Sequence, residues 1–208
     1  MKIRSRDGFN LEASIHEAAD PIAGVVFCHP HPQFGGTMDA PLVLALTDAM
    51  VAANLAVIRF NFRGVGQSEG ESGTGEAEVA DALGAMDALR ETLGEAPLGL
   101  AGWSFGGAVA IRAAAADELW RACVAIAPAV APRAGITSGL PSPEELRVKV
   151  PLLIVVGAND QNVSPDACRD WANGAGARFE VMPGANHFFW AKYDDLAKTV
   201  CEFFIEVL

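Results

Sequence analysis

Short apolar runs recur along the chain, and segments with apolar residues at helical spacing separate them. The runs are apolar at consecutive positions, which is typical of strands buried on both faces of a parallel sheet. Such strands are predicted at 24–28, 55–60, 98–102, 122–126 and 152–156, with another near 178–182. Helices are predicted at 39–53, 75–93, 105–116, 165–174 and 193–207. Strand and helix therefore alternate through at least five units.

The first 16 residues differ from this alternation, because they predict a β-hairpin that turns at Asp7-Gly8. Alternating strands and helices favour a mostly parallel central sheet with helices on both faces. The expected fold class is therefore α/β, with the hairpin as an antiparallel addition. One long irregular segment, from Pro128 to Lys149, is too short for a domain of its own and is a candidate flap. We expect a single domain over 1–208.

Charge and apolar content narrow the range of partners. The chain has 15 basic and 26 acidic residues and a formal net charge of −11, which argues against a nucleic acid and gives no support for an anionic membrane surface. The N-terminus has no apolar signal region, and no run approaches the ~18 apolar residues of a membrane span. A cytoplasmic protein is the simplest interpretation. The oligomeric state is left open.

The four cysteines, Cys28, Cys123, Cys168 and Cys201, are scattered, without a CxxC pair or metal-type spacing. Cys28 and Cys123 fall in apolar strand-like runs, where a buried free thiol is expected. The sequence predicts no cofactor and no metal ion.

The most informative motif is Gly-Trp-Ser-Phe-Gly-Gly at 102–107, which matches the G-x-S-x-G nucleophile elbow. It lies between a predicted strand and a predicted helix, as the elbow requires. A serine at such a sharp turn needs flanking glycines to avoid clashes, and the helix N-terminus directs free amides at developing negative charge. We predict Ser104 as a nucleophile. The alternative is a plain turn with Ser104 as a helix N-cap.

A serine hydroxyl needs a base, and the chain has only four histidines. His187 follows the last predicted strand, and Asp160 follows the strand before it. In parallel α/β sheets the loops at the carboxyl ends of the strands form the binding site. The order Ser104, Asp160, His187 therefore predicts a triad in which Asp160 orients the imidazole. Asp160 as a turn former and His187 as a surface residue are the alternatives.

An oxyanion hole requires backbone amides from the loop after the third strand and from the residue after the nucleophile. The first loop reads His-Pro-His-Pro-Gln from 29 to 33. Proline has no N–H, so the donor is His31 or Gln33, with His31 preferred. The second donor is Phe105.

Two strings invite other interpretations. His29 and His31 could share a metal ion, but no third ligand is evident, and His29 is expected to be a structural residue beneath the loop. The glycines of 63–70 suggest a dinucleotide fingerprint, but more loop follows them instead of a helix. A structural loop beside the site is preferred.

Four strings together resemble the α/β-hydrolase superfamily over nearly the whole chain, and more narrowly the small lidless bacterial serine hydrolases of the dienelactone hydrolase-like and Xaa-Pro-peptidase-like groups. The strings lie at 29–38, 61–68, 102–106 and 184–189. The resemblance implies the α/β-hydrolase fold without a cap domain, and an esterase that acts on short acyl chains. Ser104 stands where a dienelactone hydrolase has cysteine. Only 129–149 is available for a cap, which implies an open site with little control over substrate shape.

The sequence thus predicts a carboxylesterase-like serine hydrolase that acts on a small acyl substrate. A peptidase or thioesterase would use the same triad, and a non-catalytic binding module could retain the fold. Candidate walls of an apolar acyl pocket are Phe34, Trp103, Phe188 and Trp190, although aromatic residues beside a site also serve as plain core.

Overall fold

Eight strands form one sheet in the computed structural model, which describes residues 1–208. The strands are β1 (Lys2–Arg4), β2 (Asn10–His16), β3 (Ala23–Cys28), β4 (Leu55–Phe60), β5 (Leu98–Trp103), β6 (Trp120–Ile126), β7 (Leu152–Gly157) and β8 (Arg178–Met182). Their order across the sheet is β1-β2-β4-β3-β5-β6-β7-β8. β3 to β8 run parallel, whereas β2 pairs antiparallel with both β1 and β4. The predicted hairpin and mostly parallel sheet are confirmed.

Helices cover both faces of this sheet. They are α1 (Pro41–Ala52), α2 (Glu78–Leu93), α3 (Phe105–Ala116), the single turn α4 (Pro143–Leu146), α5 (Pro165–Ala175) and α6 (Tyr193–Val207). Apolar residues of α2, α3 and α5 pack in one core cluster, and those of α1 and α6 pack in another on the opposite face. Because both faces are covered, every residue of β3, β5 and β7 is buried. No helix is both long enough and apolar enough to cross a membrane.

Three local features differ from the sequence prediction. Pro32–Phe34 form a short 3-10 helix and 143–146 form α4, both within segments predicted to be irregular. α2 begins at Glu78 instead of residue 75. The buried carboxylate of Glu78 accepts hydrogen bonds from the amides of Gly73 and Gly75, and Gly75 has a φ of +108°, outside the helical region. These bonds hold the preceding loop in place and delay the start of the helix.

The glycine-rich loop after β4 is held by buried polar contacts. Arg63 pairs with Asp81 of α2 at 2.7 Å, with side chains only 6% and 0% exposed. Asn61 accepts a hydrogen bond from the backbone N–H of Met38 at 2.8 Å, which joins this loop to the loop after β3. The string at 61–68 therefore serves as structural support beside the carboxyl edge of the sheet.

Candidate active site

Ser104 lies at the turn between β5 and α3 in a strained conformation, with φ 58° and ψ −115°. A Cβ atom on Gly102 would come within 2.1 Å of the carbonyl oxygen of Gly106. A Cβ atom on Gly106 would lie 2.3 Å from the carbonyl oxygens of Cys28 and His29. Both glycines are therefore required for this close approach, and the turn raises the Ser104 hydroxyl above the carboxyl edge of the sheet.

The backbone of Ser104 is held on both sides. Its N–H donates to the carbonyl of Ile126 at 2.8 Å, and its carbonyl accepts from Ala108 and Ala129 at 3.1 Å. These bonds join the elbow to the end of β6 and to the segment that follows it. The strained conformation is thus fixed by its surroundings.

The loops after β5, β7 and β8 bring three predicted residues together. The hydroxyl of Ser104 lies 3.1 Å from Nε2 of His187, and Nδ1 of His187 lies 2.8 Å from Oδ2 of Asp160. Because the carboxylate can only accept, Nδ1 carries the proton and Nε2 is left to accept from the hydroxyl. This is the arrangement that a base acting on Ser104 needs.

Asp160 is positioned by its own loop. Its side chain is fully buried, and Oδ1 accepts hydrogen bonds from the amides of Asn162 and Val163 at 2.8 and 2.9 Å. These bonds use one carboxylate oxygen for the turn and leave the other for His187. The turn-forming role that the sequence suggested as an alternative therefore coexists with the contact to the imidazole.

Trp103 fixes the loop that carries His187. Its indole Nε1–H donates to the backbone carbonyl of His187 at 3.1 Å. On the other side of the loop, Phe189 is fully buried and has a φ of +52°. The string at 102–107 predicts Trp103 only as a pocket wall, because nothing in it shows which carbonyl the indole meets.

The amides proposed for the oxyanion hole are distinguished by their hydrogen bonds. Gln33 donates its N–H to Nδ1 of His31 at 3.1 Å, so this amide is already engaged. The N–H of His31 makes no hydrogen bond within the protein. Phe105 is the first residue of α3, where an amide has no partner within the helix. The two preferred amides are thus the ones available to a ligand.

Hydrogen bonds occupy both ring nitrogens of His29 and of His31. Nε2 of His29 accepts from the amide of Phe62 at 3.0 Å, so Nδ1 donates to the carbonyl of Pro30 at 2.7 Å. Nε2 of His31 donates to the carbonyl of Ile136 at 2.7 Å. Burial lowers the pKa of His29 to about 4, which keeps the ring neutral. Neither imidazole has a lone pair free for a metal ion, and the alternative of a shared metal finds no support.

A cavity of about 800 Å³ opens beside Ser104 and His187. All four aromatic candidates line it: Trp103 is buried, whereas Phe34, Phe188 and Trp190 are exposed. The rings of Phe188 and Trp190 stack with centroids 5.0 Å apart. Three of the four are therefore surface aromatics of the cavity and not plain core.

The segment after β6 forms another wall of the cavity, through residues 129–133, Ile136 and Thr137. It is joined to the site by the bond between His31 and Ile136, and to α3 by Arg112, which donates to the carbonyl of Gly139 at 2.7 Å. Residues 129–133, Ile136 and Thr137 therefore bound one side of the cavity. The expectation of an open site with little control over substrate shape stays a prediction.

Comparison with known proteins agrees with this architecture. The model of the family described as serine aminopeptidase, S33, matches residues 19–146. Uncharacterized protein RP471 of Rickettsia prowazekii (strain Madrid E) is 29% identical over 206 residues, which span 95% of this chain and 85% of that protein.

Two solved structures are also similar over nearly the whole chain. An alpha-beta serine hydrolase homologue from Coxiella burnetii is 29% identical, with a TM-score of 0.85 over 97% of this chain and 95% of that one. XC6422 from Xanthomonas campestris, a serine hydrolase without a lid, is 28% identical, with a TM-score of 0.80 over 95% of this chain and 89% of that one.

Proposed function

This chain belongs to the serine aminopeptidase, S33, family of α/β hydrolases, and from that premise we propose that it hydrolyses carboxylic esters of small acyl substrates through an acyl-enzyme intermediate. Ser104 is the nucleophile, His187 the general base and Asp160 the residue that orients the base.

One observation carries the proposal. A continuous chain of contacts runs from the Ser104 hydroxyl through His187 to the buried carboxylate of Asp160, at 3.1 and 2.8 Å, and the hydroxyl faces an apolar cavity. The strained φ of Ser104 supports a catalytic role, since a binding module has no need of a strained serine.

In the first step the Ser104 oxygen attacks the ester carbonyl while its proton moves to Nε2 of His187. The negative charge that develops on the carbonyl oxygen is stabilised by the free amides of His31 and Phe105. The Asp160 carboxylate stabilises the imidazolium ion. When the tetrahedral intermediate collapses, the carbon–oxygen bond to the alcohol breaks and His187 returns the proton to the departing alcohol.

In the second step water attacks the acyl-enzyme and gives its proton to His187. The same two amides hold the second oxyanion, and the bond to Ser104 breaks as its oxygen regains the proton. The carboxylic acid leaves, and the enzyme returns to its starting state. Every proton transfer uses Nε2 of His187, which explains why Nδ1 must be fixed on Asp160.

The proposal is tested with p-nitrophenyl esters and a fluorophosphonate probe. Wild-type protein should hydrolyse short-chain esters and become labelled, whereas Ser104→Ala should lose label and at least about a thousandfold in kcat/KM. Ser14→Ala, on β2 and outside the lining of the cavity, is the matched control and should behave as wild type. Hydrolysis at the wild-type rate by Ser104→Ala would refute the proposal, and absence of labelling of the wild type would favour a binding module.

A further inference from the structure

Arg133 is the one permanently charged residue that lines the cavity beside Ser104. This residue lies in the exposed part of the segment after β6, where its backbone N–H bonds to the carbonyl of Thr137 at 2.8 Å. It lines the cavity together with Ile136 and Thr137. None of the ion pairs of the protein includes Arg133. Its positive charge is therefore available to a ligand.

Nothing else in the cavity offsets this charge. Of the 26 lining residues 14 are hydrophobic, and none is an aspartate or a glutamate. Asp160 lies behind His187 with its side chain fully buried. The lining of the cavity therefore carries one fixed positive charge and no negative one, on a protein whose net charge is −11. Such a site favours an anionic group on the substrate over a cationic one.

The same observation bears on the aminopeptidase activity in the family's description. An aminopeptidase substrate presents a protonated α-amino group close to the bond that is cleaved. Transfer of that ammonium group from water into an apolar cavity is costly unless a carboxylate pairs with it. Here the cavity presents a guanidinium group, which repels the ammonium ion.

We propose that the substrate is a small ester that bears a carboxylate group remote from the reacting carbonyl, and that Arg133 binds this carboxylate. The inference rests on the proposed ester hydrolysis and adds the class of substrate. The planar guanidinium group suits a carboxylate, because two of its N–H groups can donate in parallel to the two oxygens. The apolar walls, among them Phe34 and Phe188, contact the hydrocarbon between the two ends.

The test compares matched pairs of esters that differ only in the remote group. In the first series the carboxylate is in the acyl part: the p-nitrophenyl monoesters of adipic and suberic acid are compared with p-nitrophenyl hexanoate and octanoate. In the second series the carboxylate is in the alcohol part: removal of the acetyl group from 3- and 4-acetoxybenzoate is compared with its removal from their methyl esters. Each is measured with wild type, Arg133→Gln, Arg133→Glu and Arg121→Gln. Arg121 is exposed near the start of β6, away from the carboxyl edge of the sheet, and its substitution changes net charge by the same amount.

In at least one series the wild type should prefer the carboxylate member, chiefly through a lower KM. Arg133→Gln should reduce kcat/KM for that member by about twofold to fivefold, the upper part of the range for an exposed ion pair, and leave the neutral member unchanged. Arg133→Glu should lower it further, added salt should reduce the wild-type preference, and Arg121→Gln should match wild type.

The inference would be overturned if, in both series, the carboxylate ester and its neutral partner had equal kcat/KM with wild type and with Arg133→Gln. So would a wild-type preference for aminoacyl p-nitroanilides over the carboxylate esters. Ser104→Ala is measured beside these variants. Failure of the proposed function is then distinguishable, because in that case the neutral esters would either not be cleaved or be cleaved equally by wild type and Ser104→Ala. If cleavage of the neutral esters requires Ser104 and no substitution of Arg133 changes the use of the carboxylate esters, the proposed ester hydrolysis is retained. Only the inference that Arg133 binds a substrate carboxylate is then rejected.

Discussion

At the scale of single residues, the candidate site depends on side chains in which each polar atom has a defined hydrogen-bond partner. Asp160 uses one oxygen for its own turn and the other for His187, and His31 accepts from Gln33 and donates to Ile136. Because one ring nitrogen of each imidazole must donate and the other accept, these contacts fix its tautomer. Substitutions that keep one partner and lose the other are therefore the most informative.

Asp160→Asn is the first such substitution. The amide oxygen can still accept from Asn162 and Val163, so the turn should remain, but the amide NH₂ group would face Nδ1 of His187. The imidazole would then carry its proton on Nε2 and could not accept from Ser104. We expect kcat to fall by about a thousandfold or more with little change in thermal stability. Asp166→Asn, on the exposed side of α5, is the control. A variant that kept most of its ester hydrolysis would contradict the assigned role.

His29 predicts a pH dependence of stability. Burial lowers its pKa from 6.5 to about 4 in the folded protein, so the unfolded chain takes up the proton first as the pH falls. The stability that neutral His29 contributes is present above about pH 6.5 and is lost towards pH 4, by about 3 kcal/mol in total. Urea unfolding across this range should show the loss. His29→Gln retains a donor and an acceptor and should have a flatter profile, whereas His16→Gln, at a half-buried site, should change the profile less. An unchanged slope for His29→Gln would contradict the assignment.

At the scale of elements, the site is a product of close packing between α3 and the strands beside it. Gly102 allows the first turn of α3 to lie against the end of β5, and Gly106 allows the helix backbone to touch that of Cys28 and His29. This contact brings the N-terminus of α3 beside the loop that carries the His31 amide. The distance between the two proposed oxyanion donors is therefore set by glycines that take no part in chemistry.

Gly106→Ala tests this packing. The added methyl group would lie 2.3 Å from two carbonyl oxygens, so α3 must shift away from β3. We expect a loss of about 3 kcal/mol in the free energy of unfolding together with a loss of ester hydrolysis. Gly176→Ala is the matched control: nothing lies within 4 Å, and only its φ of +65° opposes alanine. It should cost about 1 kcal/mol. Equal midpoints for the two variants in a thermal melt would show that the close approach is not required.

At the scale of the whole molecule, two core clusters on opposite faces of the sheet leave no thiol accessible. All four cysteines are free and buried, and burial raises the pKa of Cys168 to about 12 and that of Cys123 still further above its ordinary range. A buried thiol that is hard to ionise is a poor nucleophile.

The folded protein should therefore react slowly with Ellman's reagent, and four equivalents should appear only in guanidinium chloride. The ratio of the two rates measures how rarely the core opens. Rapid reaction of even one thiol in the native protein would contradict the packing described here.

The sequence by itself determined the elements and their order. Continuous apolar runs such as 24–28 and 152–156 indicate that both faces of a strand are buried. Burial of both faces favours a parallel sheet with helices on each side. Once the strands are placed, the loops that carry Ser104, Asp160 and His187 must meet at one edge. The proximity of the three residues was therefore predictable, and the structure places His187 3.1 Å from the Ser104 hydroxyl and 2.8 Å from the Asp160 carboxylate.

Only the tertiary structure decided which groups remain free, because a hydrogen bond between distant segments leaves no trace in local sequence. The Gln33 amide is taken by the His31 ring, both imidazoles of the His-Pro-His-Pro string are fully bonded, and Trp103 holds the His187 loop. In the same way, the segment after β6 was predicted only as an irregular candidate flap. Folding places Arg133, without a partner among the ion pairs, at the cavity beside Ser104, because side-chain positions in a loop depend on what the rest of the chain builds around it.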